Sequence, residues 1–191
     1  MKKLIALALA LLMALSFALV GCGEKKKDSG DRWSSEIENV AKAYMRASGD
    51  GKPEESDGYL LITREMRLKK YAKEEDLSLK KYLEENYDVS SMKEYWENEA
   101  EEFKENIAEK YGEEYRFTIE VLDVDEFTNK EIDKFKEDYE ERFDNYGLDI
   151  DKVESVAQAI LKVKVSGSED SDRSAGPITL VKYKGDWKVW G

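Results

Sequence analysis

The apolar residues of this 191-residue chain change their spacing along the sequence, and each change predicts a different element. From Leu4 to Val20 the run is almost wholly apolar, with no polar face at any period. After a polar stretch the spacing becomes helical. Ser35-Glu36-Ile37-Glu38 has the form of a capping box, in which a serine oxygen accepts from an orphan amide and the glutamate three residues on reaches back. Ile37, Val40, Ala41 and Tyr44 then recur on one helical face, and Gly49 suits a left-handed stop. A second box, Ser91 to Glu94, opens a helix with the stripe Met92, Tyr95, Trp96, Ala100, Phe103, Ile107 and Tyr111, closed by Gly112. A third, Thr128 to Glu131, opens one with Ile132, Phe135, Tyr139, Phe143 and Tyr146 inward, closed by Gly147. Residues 56–73, with Tyr59, Leu60, Ile62, Met66 and Tyr71, and residues 78–86 also read as helical.

Three stretches follow a period of two instead. In Tyr115 to Val121 apolar residues alternate with polar ones, which turns one face inward and the other to water. The phase slips at Leu122 and Val124, predicting a bulge or bend. Ala159 to Val165 alternates again and is followed by a polar loop over residues 166–176. Ile178 to Tyr183 is a third strand, and a tight turn at Lys184-Gly185-Asp186-Trp187 returns the chain through Trp187, Lys188, Val189 and Trp190.

Helices first, then a strand, a helical insertion and a closing antiparallel meander make an α+β domain, with N-terminal helices packed on a curved antiparallel sheet. The ending, from Val163-Lys164-Val165 through Ile178 to the Gly185-Asp186-Trp187-Lys188-Val189 hairpin, resembles the closing strands of nuclear-transport-factor-2-like domains of the cystatin-like superfamily. The resemblance spans residues 34–191. The long helix of residues 128–146 departs from the family's shorter link between strands. What the resemblance implies is a curved sheet wrapped on helices, whose cone can hold a ligand. Enzymes of that family place histidine in the cone, and this chain has none, so no active site carries over.

Composition narrows the chemistry further. Without histidine the chain lacks the commonest general base and metal ligand. Its single cysteine, Cys22, excludes a disulfide framework and a Cys/His zinc site. Aspartate, glutamate, lysine, serine and tyrosine remain for catalysis, and hard-oxygen coordination for metals. No cofactor is expected. The formal net charge is −12, and the body is more acidic still, because Lys2, Lys3, Lys25, Lys26 and Lys27 cluster near the start. Nucleic acid is excluded as a partner, since phosphate binding needs clustered cations.

Two lysines, the apolar run and then Leu19-Val20-Gly21-Cys22 have the order of a secretory signal. About 17 apolar residues are at the short limit for spanning a bilayer. The last four residues resemble the lipobox of bacterial lipoproteins, Gram-positive ones included. The resemblance implies cleavage before Cys22, a diacylglyceryl thioether on it, and residence at the outer face of the cytoplasmic membrane. The domains expected are therefore a signal peptide at 1–21, a tether at 22–33 and one α+β domain at 34–191.

Acidic groups at Asp123, Asp125 and Glu126, at Asp149 and Asp151, and at residues 168–172 read as solvated strand ends and loops. Tyr44, Tyr95, Trp96, Phe117, Tyr183 and Trp187 are the candidate lining of a ligand cavity, weighed against service as ordinary core. Two functions are open. One is a non-enzymatic binding or interaction domain for an envelope protein or a small apolar ligand. The other is a histidine-free hydrolase or isomerase working with carboxylates in the cavity.

Overall fold

The computed structural model describes residues 35–191, so the signal segment, Cys22 and the tether lie outside the described residues. α1 (Ser35–Gly49) buries Ile37 and Ala41 along one stripe. Ser35 is already helical, and Glu38 pairs with Lys42 one turn on. The expected capping box at Ser35 therefore gives way to an ion pair on the outer face. α2 (Pro53–Asp57) is a single turn with proline at its start, where the missing amide costs nothing. α3 (Arg64–Glu74) and α4 (Leu79–Tyr87) are capped by Thr63 and Ser78, whose hydroxyls accept from the Met66 and Lys81 amides at 3.3 Å.

The helix expected over residues 56–73 is thus broken between Asp57 and Arg64. Tyr59, Leu60 and Leu61 run beside the last strand instead. The Leu61 amide donates to the Val189 carbonyl at 2.9 Å, and the Val189 amide donates to Tyr59 at 2.8 Å. The sheet edge at that strand would otherwise expose unpaired amides and carbonyls. Covering it outweighs the helical spacing of Tyr59, Leu60 and Ile62.

α5 (Met92–Tyr111) leads to β1 (Arg116–Glu126), α6 (Asn129–Asn145), a 3-10 turn (Ile150–Lys152) and then β2 (Val153–Ser166), β3 (Ser171–Tyr183) and β4 (Asp186–Val189). α6 carries the capping box expected at Thr128 and Glu131 in full. The four strands are antiparallel in the order β1-β2-β3-β4, and the sheet stays open. The register slips between Val121 and Asp123, which leaves Leu122 43% exposed at the expected bulge. β2 starts six residues before its alternating stretch, and β3 takes up much of the polar loop expected over residues 166–176. Ser171 to Gly176 pair with Leu161 to Ser166, so the backbone ladder continues where the side chains of β3 carry no apolar alternation. The β3–β4 turn places Lys184 at φ +53° and Gly185 at φ +91°. Two positive φ values match the twist of a two-residue hairpin, and Gly185 meets that demand without strain.

Helices pack on both faces of the sheet, the second only in part, since Ile160 there stays 38% exposed. α1 packs one with Ile37, Ala41 and Tyr44 against Ala157, Ala159, Leu161, Leu180, Trp187 and Val189. α6 packs the other with Phe135 and Phe143 against Val156, Val181 and Tyr183. A third cluster, Leu68, Ala72, Tyr82, Leu83, Val89 and Tyr95, joins α3, α4 and the start of α5. The domain is α+β, with its helical insertion between β1 and the closing strands.

Candidate functional site at the flanks of α5

The aromatic residues singled out in the sequence divide among these cores. Tyr44 and Trp187 share the α1 face. Tyr183 lies on the opposite face, because Trp187 pairs with Lys182 and its neighbour Tyr183 must point the other way. Its hydroxyl accepts from the Asp149 amide at 3.1 Å. Phe117, at the start of β1, lies against Gly49 at the end of α1, where the Tyr115 hydroxyl also donates to the Gly49 carbonyl at 3.1 Å. Tyr95 and Trp96 stand on α5 beside the third cluster. The six are therefore not brought to one cavity, and the α1 side of the sheet is filled by its own side chains.

What the outer surface offers instead lies along α5. Ser91 caps this helix, its hydroxyl accepting from the Glu94 amide at 3.3 Å. Glu94 reaches past Ser91 to Ser90, accepting from its amide at 2.6 Å and its hydroxyl at 2.8 Å. Those bonds hold the Glu94 carboxyl below its ordinary pKa. With the start of the helix fixed, Tyr95 turns inward at 2% exposure, and Trp96 rests half-buried one residue on. Four rings run from α4 across α5. Tyr82 and Tyr87 have centroids 6.3 Å apart, Tyr87 and Tyr95 5.0 Å edge to face, and Tyr95 and Trp96 5.1 Å edge to face.

Two concavities flank the helix. On the Trp96 side an open groove of about 350 Å³ is lined by Lys52, Pro53, Glu55, Lys93 and Ala100 with the indole. Lys52 and Glu55 pair at 3.2 Å and Lys93 and Glu97 at 3.6 Å, and Glu54 leaves the rim with one acidic group more than its lysines match. On the Tyr95 side a crevice of about 180 Å³ is bounded by Tyr87, Val89, Tyr95, Asn98, Glu99 and Glu102.

Behind the crevice stands a polar network that the sequence did not reveal. Arg64 donates from its guanidinium to the Tyr95 hydroxyl at 2.8 Å and stands 3.9 Å from Glu99. Its backbone amide donates to the Asp57 carboxylate at 2.6 Å. Asp57 is 9% exposed, and burial raises its pKa against the opposing pull of that amide and of the Arg64 and Arg67 charges. Burial likewise raises Glu99, which Arg64 partly offsets, and it raises the Tyr95 phenol most strongly. The available signal was Thr63, a residue of cap type set just before Arg64-Glu65, which marks a helix start inside residues 56–73. The acidic groups weighed earlier have local work: Asp149 accepts from the Asp151 amide at 3.0 Å, and Asp172 accepts from the Tyr111 hydroxyl at 2.7 Å. Among the described residues no group of three or more His, Cys, Asp or Glu side chains converges. No protein-family model, curated protein or solved structure matches the chain.

Proposed function

We propose that this chain is a bacterial lipoprotein of the nuclear-transport-factor-2-like kind, anchored through Cys22 at the outer face of the cytoplasmic membrane. In this reading it acts as a non-enzymatic interaction domain that holds an envelope protein, or a small apolar ligand, at the flank of α5. The observation that carries the binding role is the contrast between interior and surface. Tyr44 and Trp187 fill one face of the sheet and Phe143 and Tyr183 the other, while Trp96 lies in an open groove. A half-buried indole in a surface concavity with a charged rim has the anatomy of an interface anchor. Among the described residues no helix is long and apolar enough to cross a membrane.

A hydrolase or isomerase built on carboxylates has less support. Asp57 and Glu99 both have raised pKa values, but an oxygen of Asp57 is committed to the Arg64 amide and Asp57 does not line the crevice. The binding role is tested by placing a photo-crosslinking amino acid at Glu97, on the rim of the groove, or at Glu137, exposed on α6, in cells expressing the chain. A discrete adduct from position 97 that disappears with Trp96→Ala is expected, with none from position 137. Equal adducts from both positions, or none from position 97, would overturn it.

A further inference from the structure

We infer that the outer edge of β1, over Arg116 to Glu120, pairs antiparallel with the same edge of a second copy of this chain. The inference depends neither on the anchoring nor on the groove at Trp96. β1 is the first strand of the sheet and pairs with β2 alone. Among the described residues, no backbone hydrogen bond from outside the sheet reaches residues 116–121. Each of those residues is exposed or half-buried, whereas Leu161, paired to Val121 on the next strand in, is 2% exposed. A strand edge in that state presents a row of amides and carbonyls to water.

The other stretches of sheet edge are blunted. Tyr59 and Leu61 bond to Val189 and cover β4. β3 runs past β4 over residues 171–178, but Pro177 has no amide to give there, and serine, alanine and glycine offer little side chain to a facing strand. On β1 itself the bulge at Leu122 bends the strand, the Asp123 carboxylate accepts from the Val124 amide at 3.2 Å, and Asp125 and Glu126 follow as exposed charges. Bulges and charges of that kind deter pairing, so the open template is the short run before them.

That run is complementary to itself. A two-fold axis perpendicular to the sheet keeps like faces of the two copies together and closes the assembly at two. With the axis at Thr118, Arg116 stands opposite the partner's Glu120, Phe117 opposite the partner's Ile119, and Thr118 opposite its own copy. Unlike charges, an aromatic ring with a β-branched residue, and paired threonines are the cross-strand combinations that stabilise neighbouring strands. Centring on Phe117 or Ile119 would set Arg116 against Thr118 or Leu122, and centring on Glu120 would oppose like charges. Arg116 is exposed and makes no ion pair among the described residues. Glu120 is held below the usual carboxylate range by Lys162 at 2.8 Å, so it is charged and ready for a second cation. Phe117 and Ile119 are half-buried toward α1, and a facing strand covers their open sides.

So small a contact belongs to the weak, transient class of interfaces, which calls for a trapping experiment. Cells expressing the full-length chain with Thr118→Cys are treated with bismaleimidoethane, a short linker between thiols. Mass spectrometry then quantifies the linked 118–118 peptide, which differs in mass from any product of Cys22. Glu137→Cys, exposed on α6, supplies the background of chance encounters. A 118–118 product well above the 137–137 product is expected. Arg116→Glu and Glu120→Arg each make both charge pairs repulsive, and each should cut the product at least about fivefold. Expressed together, the two variants oppose unlike charges at both ends, so their mixed 118–118 peptide should recover to within about twofold of the parent yield. Absence of the 118–118 product, a yield equal to the 137–137 background, or a yield unchanged by both charge variants would overturn the pairing. So would a mixture that links no better than its parts while both variants melt like the parent.

Discussion

Asp57 ties the end of α2 to the start of α3, which makes its replacement informative. Its carbonyl accepts from the Leu60 amide at 2.9 Å as α2 ends, and its carboxylate accepts from the Arg64 amide at 2.6 Å as α3 begins. Between those bonds the chain leaves the helix through a turn and bends past β4, so that Tyr59 and Leu61 cover the β4 edge. Asp57→Ala removes the charged acceptor of the part-buried Arg64 amide at the start of a helix, a loss of about 1.5–3 kcal/mol for a hydrogen bond to a charged group. Asp57→Asn keeps an oxygen in place and removes only the charge, whose ionised form burial already disfavours. That variant should stay within about 1 kcal/mol of the parent at pH 7.

The pH dependence has a definite sign. A carboxyl whose pKa is raised by folding favours the native state below its unfolded pKa, and that contribution is lost as pH rises through the folded value. The parent should therefore lose stability relative to Asp57→Asn between the ordinary aspartate range and neutrality. Urea denaturation at pH 3.5 to 7 measures both effects, and amide exchange at Leu61 and Val189 locates them. A cost below about 0.5 kcal/mol for Asp57→Ala, with unchanged exchange at Leu61, would refute the idea that this carboxylate organises the edge.

Other positions test the packing directly. Trp187, 9% exposed and on the same face as Val189, should cost about 3–5 kcal/mol when cut to alanine, read by chemical denaturation, and a value below about 1 kcal/mol would place it outside the core. At Gly49 an added methyl would run into the Phe117 ring, so Gly49→Ala should destabilise the parent by about 1–3 kcal/mol of overpacking, less up to about 1 kcal/mol gained in helix propensity. In a Phe117→Ala background the same change should become neutral or stabilising, and an unaltered effect there would show that the ring is not the obstacle.

The elements best legible in the sequence were those whose local signals agreed with their surroundings. Thr128 and Glu131 start α6 as a full capping box, and Leu122 marks the bulge because one extra residue flips the pleat. Residues 56–73 read as one helix because Tyr59, Leu60 and Ile62 satisfy a helical period, yet Tyr59, Leu60 and Leu61 find their partner in Val189, far off on β4. The start of β3 was missed for a related reason. Backbone pairing holds Ser171 to Gly176 to β2, and such pairing leaves no mark on side-chain pattern. At the candidate site, Tyr95 and Trp96 were visible as part of an apolar stripe. Arg64, Asp57 and Glu99 were not, because a charged residue acquires its partner only when α2, α3 and α5 come together.

The proposed compartment and partner both rest on the proposed anchoring at Cys22, and the intact mass of the chain recovered from the membrane fraction tests that proposal most directly. A mature chain beginning at Cys22 and carrying a diacylglyceryl group is the predicted result, with the group absent and the unprocessed precursor retained in Cys22→Ser. A membrane-bound chain that keeps Met1 to Gly21, or one cleaved elsewhere with an unmodified cysteine, would contradict the account.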